Sequence, residues 1–453
     1  MNKYFCIISI LILASFFTCK RKSEELTSDS NARLDFSDQA IYFDTIFSSI
    51  GSITQRLYVY NPNSHAVTIS SIELGGKTAS PYKIIINGQE STYTTNFELY
   101  GGDSMLVLVK VLINPQNQNL PYIVEDSLIF TTNNNIQQVK LIAFGQDANF
   151  ITNAVVPCNT VWNDKKPYVI YGSATIAAGC TLTVDKGVRI LSHKAAKINV
   201  NGTLLVNGIK DSTVKFLGDN LDQSFADLPG QWGGIVFASG SKNNSIVFAL
   251  IRNAATAIKM NPEIDGDTIP ELLISNTIIE NNSKNAIEAI ATDLYLKNTL
   301  VDNCAGYIVS AKRGGNYYFD FCTMANYSYF FFRSEPSVLL SNTDSLGNGN
   351  MTARFRNSIV WGDKTEEFSL VNNGTSGFNV SFDHSLLKSK LSFTATANIL
   401  NQDPDFSNDR QFDFHIADGS SPAVNAAAVI PAIADDLENK SRGTQPDIGA
   451  YEK

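Results

Sequence analysis

At 453 residues the chain is too long for one ordinary core, and its net charge of −9 with a pI near 5.1 argues against a nucleic-acid partner. Only four histidines are present, none close to another in sequence, which disfavours a histidine metal site or a nucleophile–base pair. Seventeen Tyr, 27 Phe and abundant Asn and Thr favour strands joined by turns, so the expected class is all-β.

The N-terminus has the form of an export signal. Lys3 supplies the positive start, and Tyr4–Phe17 supplies an apolar run too short to span a bilayer. Cys19 follows, and then the polar stretch Lys20-Arg21-Lys22-Ser23-Glu24-Glu25. This order resembles a bacterial lipoprotein signal, although Phe16-Phe17-Thr18 replaces the usual small residue. The resemblance implies a signal peptide over 1–18, lipid on Cys19 and a tether over 19–33. The membrane is then a partner through the anchor. The acidic pair resembles surface-export signals of Bacteroidetes lipoproteins, which implies the outer membrane or cell surface.

Residues 34–148 carry seven short strand-like runs, from Ile41–Phe47 to Val139–Ala143. Asn61-Pro62-Asn63, Gly75-Gly76, Gly101-Gly102-Asp103 and Asn133-Asn134-Asn135 punctuate them. That density of strands predicts an immunoglobulin-like β-sandwich, without cysteines in this stretch. The order of its turn residues resembles Ig-like domains that precede β-helices in Bacteroidetes surface proteins.

From residue 153 the pattern becomes repetitive. Leu294–Val301 echoes Leu272–Ile279, and the frame returns at Tyr317–Met324, Ala353–Val360 and Val380–Leu387. Units near 22 residues cannot bury a core alone, so copies must stack, which predicts a parallel β-solenoid over 153–400. Period-2 alternation places Leu294, Leu296, Asn298 and Leu300 inward, and Leu272, Ile274, Asn276 and Ile278 likewise. Ala353, Phe355, Asn357 and Ile359 follow the same parity. The polar inward slot holds Asn276, Asn298, Asn357 and His384, interrupted by Phe248 and Phe321. It is expected to form a partial amide ladder from coil to coil.

Cys158 and Cys180 are 22 residues apart, and Cys304 and Cys322 are 18 apart, each close to one coil. Two readings stand: two disulfides, or small buried apolar side chains. The loop Glu263-Ile264-Asp265-Gly266-Asp267 offers Asp265 and Asp267 to calcium, against a plain solvated turn. No other cofactor is expected. Outward aromatics, chiefly Tyr295, Tyr318 and Trp361, suit stacking on sugar rings, against simple padding of the sheet. Tyr327 and Tyr329 lie near the same strands.

The tail, 401–453, carries Asp403-Pro404-Asp405-Phe406, Ser421-Pro422-Ala423-Val424-Asn425-Ala426, Arg442-Gly443 and Pro446-Asp447-Ile448-Gly449-Ala450-Tyr451-Glu452. Together with Pro229-Gly230-Gln231-Trp232-Gly233-Gly234-Ile235, these resemble right-handed parallel β-helix (pectin-lyase-like) surface lipoproteins of Bacteroidetes, of the choice-of-anchor Q type. The resemblance implies a right-handed β-helix closed by a C-terminal cap. Asp447 and Arg442 are then cap-forming polar residues. It implies no assigned activity.

A glycosidase needs two carboxylates across the scissile bond, and a lyase needs a base and a means of neutralising a uronate. Neither arrangement is visible, so no catalytic residue is assigned. The expected role is non-catalytic binding or scaffolding toward polysaccharide or a surface protein. The alternative is a polysaccharide lyase or glycoside hydrolase with a divergent site.

Overall fold

The computed structural model describes residues 25–118, 120–220, 227–261, 269–329, 332–391, 397–417 and 419–453. Cys19, Asp265 and Asp267 lie outside them. The chain divides into two compact units, one running to Gln116 and including Pro121–Gln146, the other comprising Asn117–Leu120 and Asp147–Lys453.

The first unit is a β-sandwich of two five-stranded sheets. One sheet pairs Asp35–Phe36, Gln55–Tyr60, Ser104–Val111, Tyr82–Ile86 and Gln89–Ser91 in that spatial order. The other pairs Ala40–Phe47, Asn135–Gln146, Tyr122–Thr132, Val67–Leu74 and Tyr93–Leu99. Alternation drives the packing: Leu57 and Val59 from one sheet, and Ile69, Ile72, Phe130 and Leu141 from the other, are fully buried between them. Tyr93–Leu99 escapes the sequence reading because most of its residues are solvent-facing and carry no two-residue rhythm.

The second unit is a stack of parallel coils, consistent with a parallel β-helix. Each regular coil gives three strands, as in Leu272–Ser275, Ile278–Asn282 and Ile287–Ile290. The next coil repeats them in register, Leu272 beside Leu294, Ile278 beside Leu300 and Ile287 beside Val309. One strand per coil builds a nine-stranded sheet, and the other two build an 18-stranded sheet. A single apolar core runs from Val156 to Leu387, with one layer of side chains per coil.

Corners, not strands, carry the polar slot. Phe248, Asn276, Asn298, Phe321, Asn357 and His384 all have φ between 45° and 54°. Asparagine tolerates this left-handed conformation better than other non-glycine residues, which explains its recurrence. The corner also resets the alternation. Val301 and Val360 enter the core, while Leu300 and Ile359 point outward, so the inward assignment of Ile278, Leu300 and Ile359 is corrected.

The expected amide ladder is also displaced. Asn276, Asn298 and Asn357 bond the C-terminal segment instead. An amide ladder does form at another left-handed position: Asn303 Nδ2 donates to Asn281 Oδ1 at 2.8 Å, and Asn281 Nδ2 donates to Asn253 Oδ1 at 2.6 Å. The residues after the first corner, Thr277, Thr299, Ser358 and Ser385, each donate a hydroxyl to the carbonyl two residues back.

Cysteine positions follow these columns. Cys158 and Cys180 occupy equivalent places in neighbouring coils and form a disulfide. Cys304 and Cys322 do not pair, which corrects the second disulfide reading. Cys322 takes the hydroxyl column's place and its Sγ lies 3.6 Å from Asp320 O, while Cys304 stacks on Asn282. A separation of 18 residues falls short of the 22 that links equivalent positions here.

Candidate functional site

The outward face of the nine-stranded sheet brings together two of the three aromatic residues singled out from sequence. Its middle column runs Leu273, Tyr295, Tyr318, Arg354 and Ser381, one residue per coil at about 4.8 Å spacing. The adjacent column runs Lys297, Asp320, Arg356 and Asp383. The strands hold both columns outward because Leu296, Phe319, Phe355 and Phe382, between them in sequence, fill the core.

Asp320 is the buried hinge of this face, with no exposed side-chain surface. Arg356 grips it with two bonds, Nε to Oδ1 at 2.8 Å and an NH₂ group to Oδ2 at 2.7 Å. The Tyr295 hydroxyl donates to Oδ2 at 2.8 Å. Burial, and then the Asp320 charge, push the Tyr295 hydroxyl above its ordinary range. It therefore keeps its proton and donates it in the bond to Asp320. The bonds to Asp320 hold the Arg356 guanidinium above its usual value.

Tyr318 meets Tyr295 edge-on, with ring centroids 6.3 Å apart. The Arg354 guanidinium lies 4.9 Å from the Tyr318 ring centre. His384 stands at a corner beside the same sheet, bonded through Nδ1 to Asp383 at 2.8 Å. Asp293, next along the face, accepts both Asn316 N and Nδ2 at 2.7 and 2.8 Å.

Trp361 does not belong to this site. It is 5% exposed and packs with Ile448, Ile416 and Ala423, on the outward side of the other parallel sheet. Lys388 lies 4.6 Å over its ring. The same C-terminal segment covers Tyr327, which stacks with Phe414. Tyr329 stays 41% exposed and donates to Asp409. The expectation of Trp361 as a solvent-facing ligand contact is therefore corrected.

That segment acts as a strap along the coils. Its apolar residues Leu437, Ile448, Ala450 and Tyr451 cover Leu300, Ala325, Ile359 and Leu386. Gly449, at φ 108°, lets the strap backbone approach the sheet: a Cβ there would sit 2.8 Å from Thr323 Oγ1. Asp447 accepts the backbone N–H of Asn425 and of Lys453 and so shapes the strap.

Beneath the strap runs a charged outward column, Arg252, Glu280 and Asp302. Arg252 lies 2.9 Å from Glu280 and 2.6 Å from Asp227. Asp302 is fully buried, and neither carboxyl oxygen has a hydrogen-bond partner. Burial first, and then the Glu280 charge, hold its pKa well above the carboxylate range, with Arg252 opposing. Sequence pattern misses this column because the residues are ordinary charges on alternating strands, 28 and 22 positions apart. Among the described residues no three His, Cys, Asp or Glu gather as a metal-binding set.

No family model and no curated protein matches the chain. Among solved structures, the ASH/PapD-like domain of human CEP192 is 12% identical, matching 28% of this chain and 95% of that one at a TM-score of 0.19. A protein of unknown function from Porphyromonas gingivalis W83 is 12% identical over 28% of this chain and 60% of its own, at 0.18. The E. coli chaperone DraB is 9% identical over 26% and 55%, at 0.18. Likeness of this degree carries no functional assignment.

Proposed function

We propose that this chain is an envelope lipoprotein, anchored through Cys19, whose Ig-like sandwich precedes a right-handed parallel β-helix that binds polysaccharide without cleaving it. The strap takes the place of the C-terminal cap in this reading. The observation that carries it is the Tyr295–Tyr318–Arg354 column, half-buried and open to solvent on a flat sheet face. Aromatic rings there stack on sugar faces, and the neighbouring polar side chains bond hydroxyls. The nearby acid, Asp320, is fully engaged by Arg356 and Tyr295, which favours binding over acid–base catalysis.

The test is affinity electrophoresis and calorimetry of the purified full chain against plant, algal and host polysaccharides, with mass spectrometry for released oligosaccharides. Binding that falls about tenfold in Tyr318→Ala, without products, supports the reading. Products would instead make it a lyase or hydrolase. Capture of a surface protein with no glycan affinity would replace the polysaccharide by a protein partner.

A further inference from the structure

Two arginines stand two residues apart on the candidate face, and they are used differently. Arg356 has spent its fork on Asp320 through two short bonds. Its column alternates in sign, Lys297, Asp320, Arg356 and Asp383, and so compensates itself along the stack. Asp293, at the edge of the face, is 7% exposed and satisfied by Asn316.

Arg354 has no such closure. Its neighbours in the column are Tyr318 and Ser381, both uncharged. Its nearest acid contact is a long one, 3.7 Å to Asp320 Oδ2, an oxygen already claimed by Arg356 and Tyr295. Its Nε is buried without a hydrogen-bond partner, and the side chain is 38% exposed. The guanidinium is instead positioned by the Tyr318 ring. The contact with the ring restrains the side chain while leaving its Nη groups without a short hydrogen bond, so less side-chain entropy remains to be lost on binding. A planar cation with free paired donors matches carboxylate or sulfate oxygens bidentately.

We infer that Arg354 makes this face selective for an anionic glycan, one bearing carboxylate or sulfate groups, with the acidic group on the Arg354 fork and the sugar ring beside Tyr318 and Tyr295. The inference rests on the proposed binding role of the same face. In this arrangement Arg354 is a specificity residue and Arg356 a structural one.

The test uses the full chain and pairs of oligosaccharides that differ only in charge: a uronate oligomer against its carboxyl-reduced form, and a sulfated oligomer against its desulfated form. Wild type is expected to bind the charged member of at least one pair about tenfold more tightly, with the preference shrinking as salt rises. Arg354→Gln should abolish the preference while keeping affinity for the neutral member, and Arg354→Lys should recover only part of it. Circular dichroism melting of both variants controls for folding. Equal binding of charged and neutral members by wild type overturns the role of Arg354 and leaves the binding face intact. An unchanged preference in folded Arg354→Gln also overturns it. No binding to any oligosaccharide overturns the binding face and this inference together.

Discussion

The guanidinium of Arg442 lies 3.8 Å from the centre of the Phe321 ring. Phe321 occupies a left-handed corner where Asn298 and Asn357 stand in other coils. That conformation costs a residue such as Phe about 1–2 kcal/mol, and the stacked cation offsets it. The same arginine donates to Asn298 Oδ1 at 3.0 Å and to the carbonyls of Gly449 and Ala450 at 3.0 and 3.2 Å. Phe321 is thus no interruption of the asparagine pattern; it is a platform for the strap.

Arg442→Leu should loosen the strap. The substitution removes the donor to Glu452, Asn298 Oδ1 and the carbonyls of Asp447, Gly449 and Ala450 at a site where Arg442 is 3% exposed. Removing one member of such a buried charged network costs about 3 kcal/mol. Hydrogen exchange should rise at Leu437 and Ile448–Tyr451 and stay unchanged in the sandwich. A loss below about 0.5 kcal/mol in denaturant unfolding would show the strap to be held by its apolar contacts alone.

Much of the solenoid is legible in the sequence because its signals are local. The 22-residue return of Leu272–Ile279 at Leu294–Val301, and the Leu294/Leu296 alternation, follow from one strand's geometry repeated. What escapes is set by backbone handedness and by distant chain. Alternation counted through Asn298 points Leu300 inward, because a left-handed corner leaves no mark on a two-residue rhythm beyond the asparagine itself. Burial of Trp361 depends on Ile448, and the Asn298 amide bond goes to Asp435, 137 residues away. Tyr295 and Tyr318 were recognisable as outward residues, yet the division of labour between Arg354 and Arg356 needs Asp320 in three dimensions.

The cysteines should behave as two kinds. Thiol labelling of the native chain should leave Cys304 and Cys322 unmodified, since both are fully buried and burial pushes the Cys304 thiol up to about 12. Both should label once the chain is unfolded. Peptide mapping should find Cys158 joined to Cys180. Reduction should destabilise the chain by about 3 kcal/mol through the closed 22-residue separation. A Cys304–Cys322 cross-linked peptide from the native chain would contradict the column assignment.

Asn281 should be costlier to replace than an exposed asparagine. It donates to Asn253 and to the Asp227 carbonyl and accepts from Asn303, so Asn281→Ala breaks three bonds in and beside one buried ladder. The left-handed φ of 58° adds strain for alanine. The expected loss is about 3 kcal/mol. Asn281→Gly relieves the backbone strain and keeps the bonding loss, so the difference between the two variants should be about 1 kcal/mol in chemical unfolding. Equal losses would mean that corner handedness contributes nothing.

Asp302→Asn should stabilise the chain, and increasingly so as pH rises. The sign follows from where the proton is held. Buried without partners beneath Tyr451, and stacked on Glu280, Asp302 holds its proton to higher pH in the folded chain than in the unfolded one, where it is lost near pH 4. A folded pKa above the unfolded one gives stability that is complete at acid pH and declines as pH climbs toward the folded value. Asparagine has no proton to lose, so its advantage over wild type should be small near pH 4 and grow as pH rises toward the folded value. The charges facing Asp302 bear on the slope: Glu280 opposes its ionisation, and Arg252 favours it. Glu271 supplies a separate residue of pH dependence, since burial lifts its pKa to about 7 despite bonds from Thr292 and the Asp293 N–H. The variant should therefore still lose stability through pH 7, but less than wild type. Parallel stability–pH curves for wild type and Asp302→Asn would show that Asp302 already ionises in the folded chain as it does in the unfolded one.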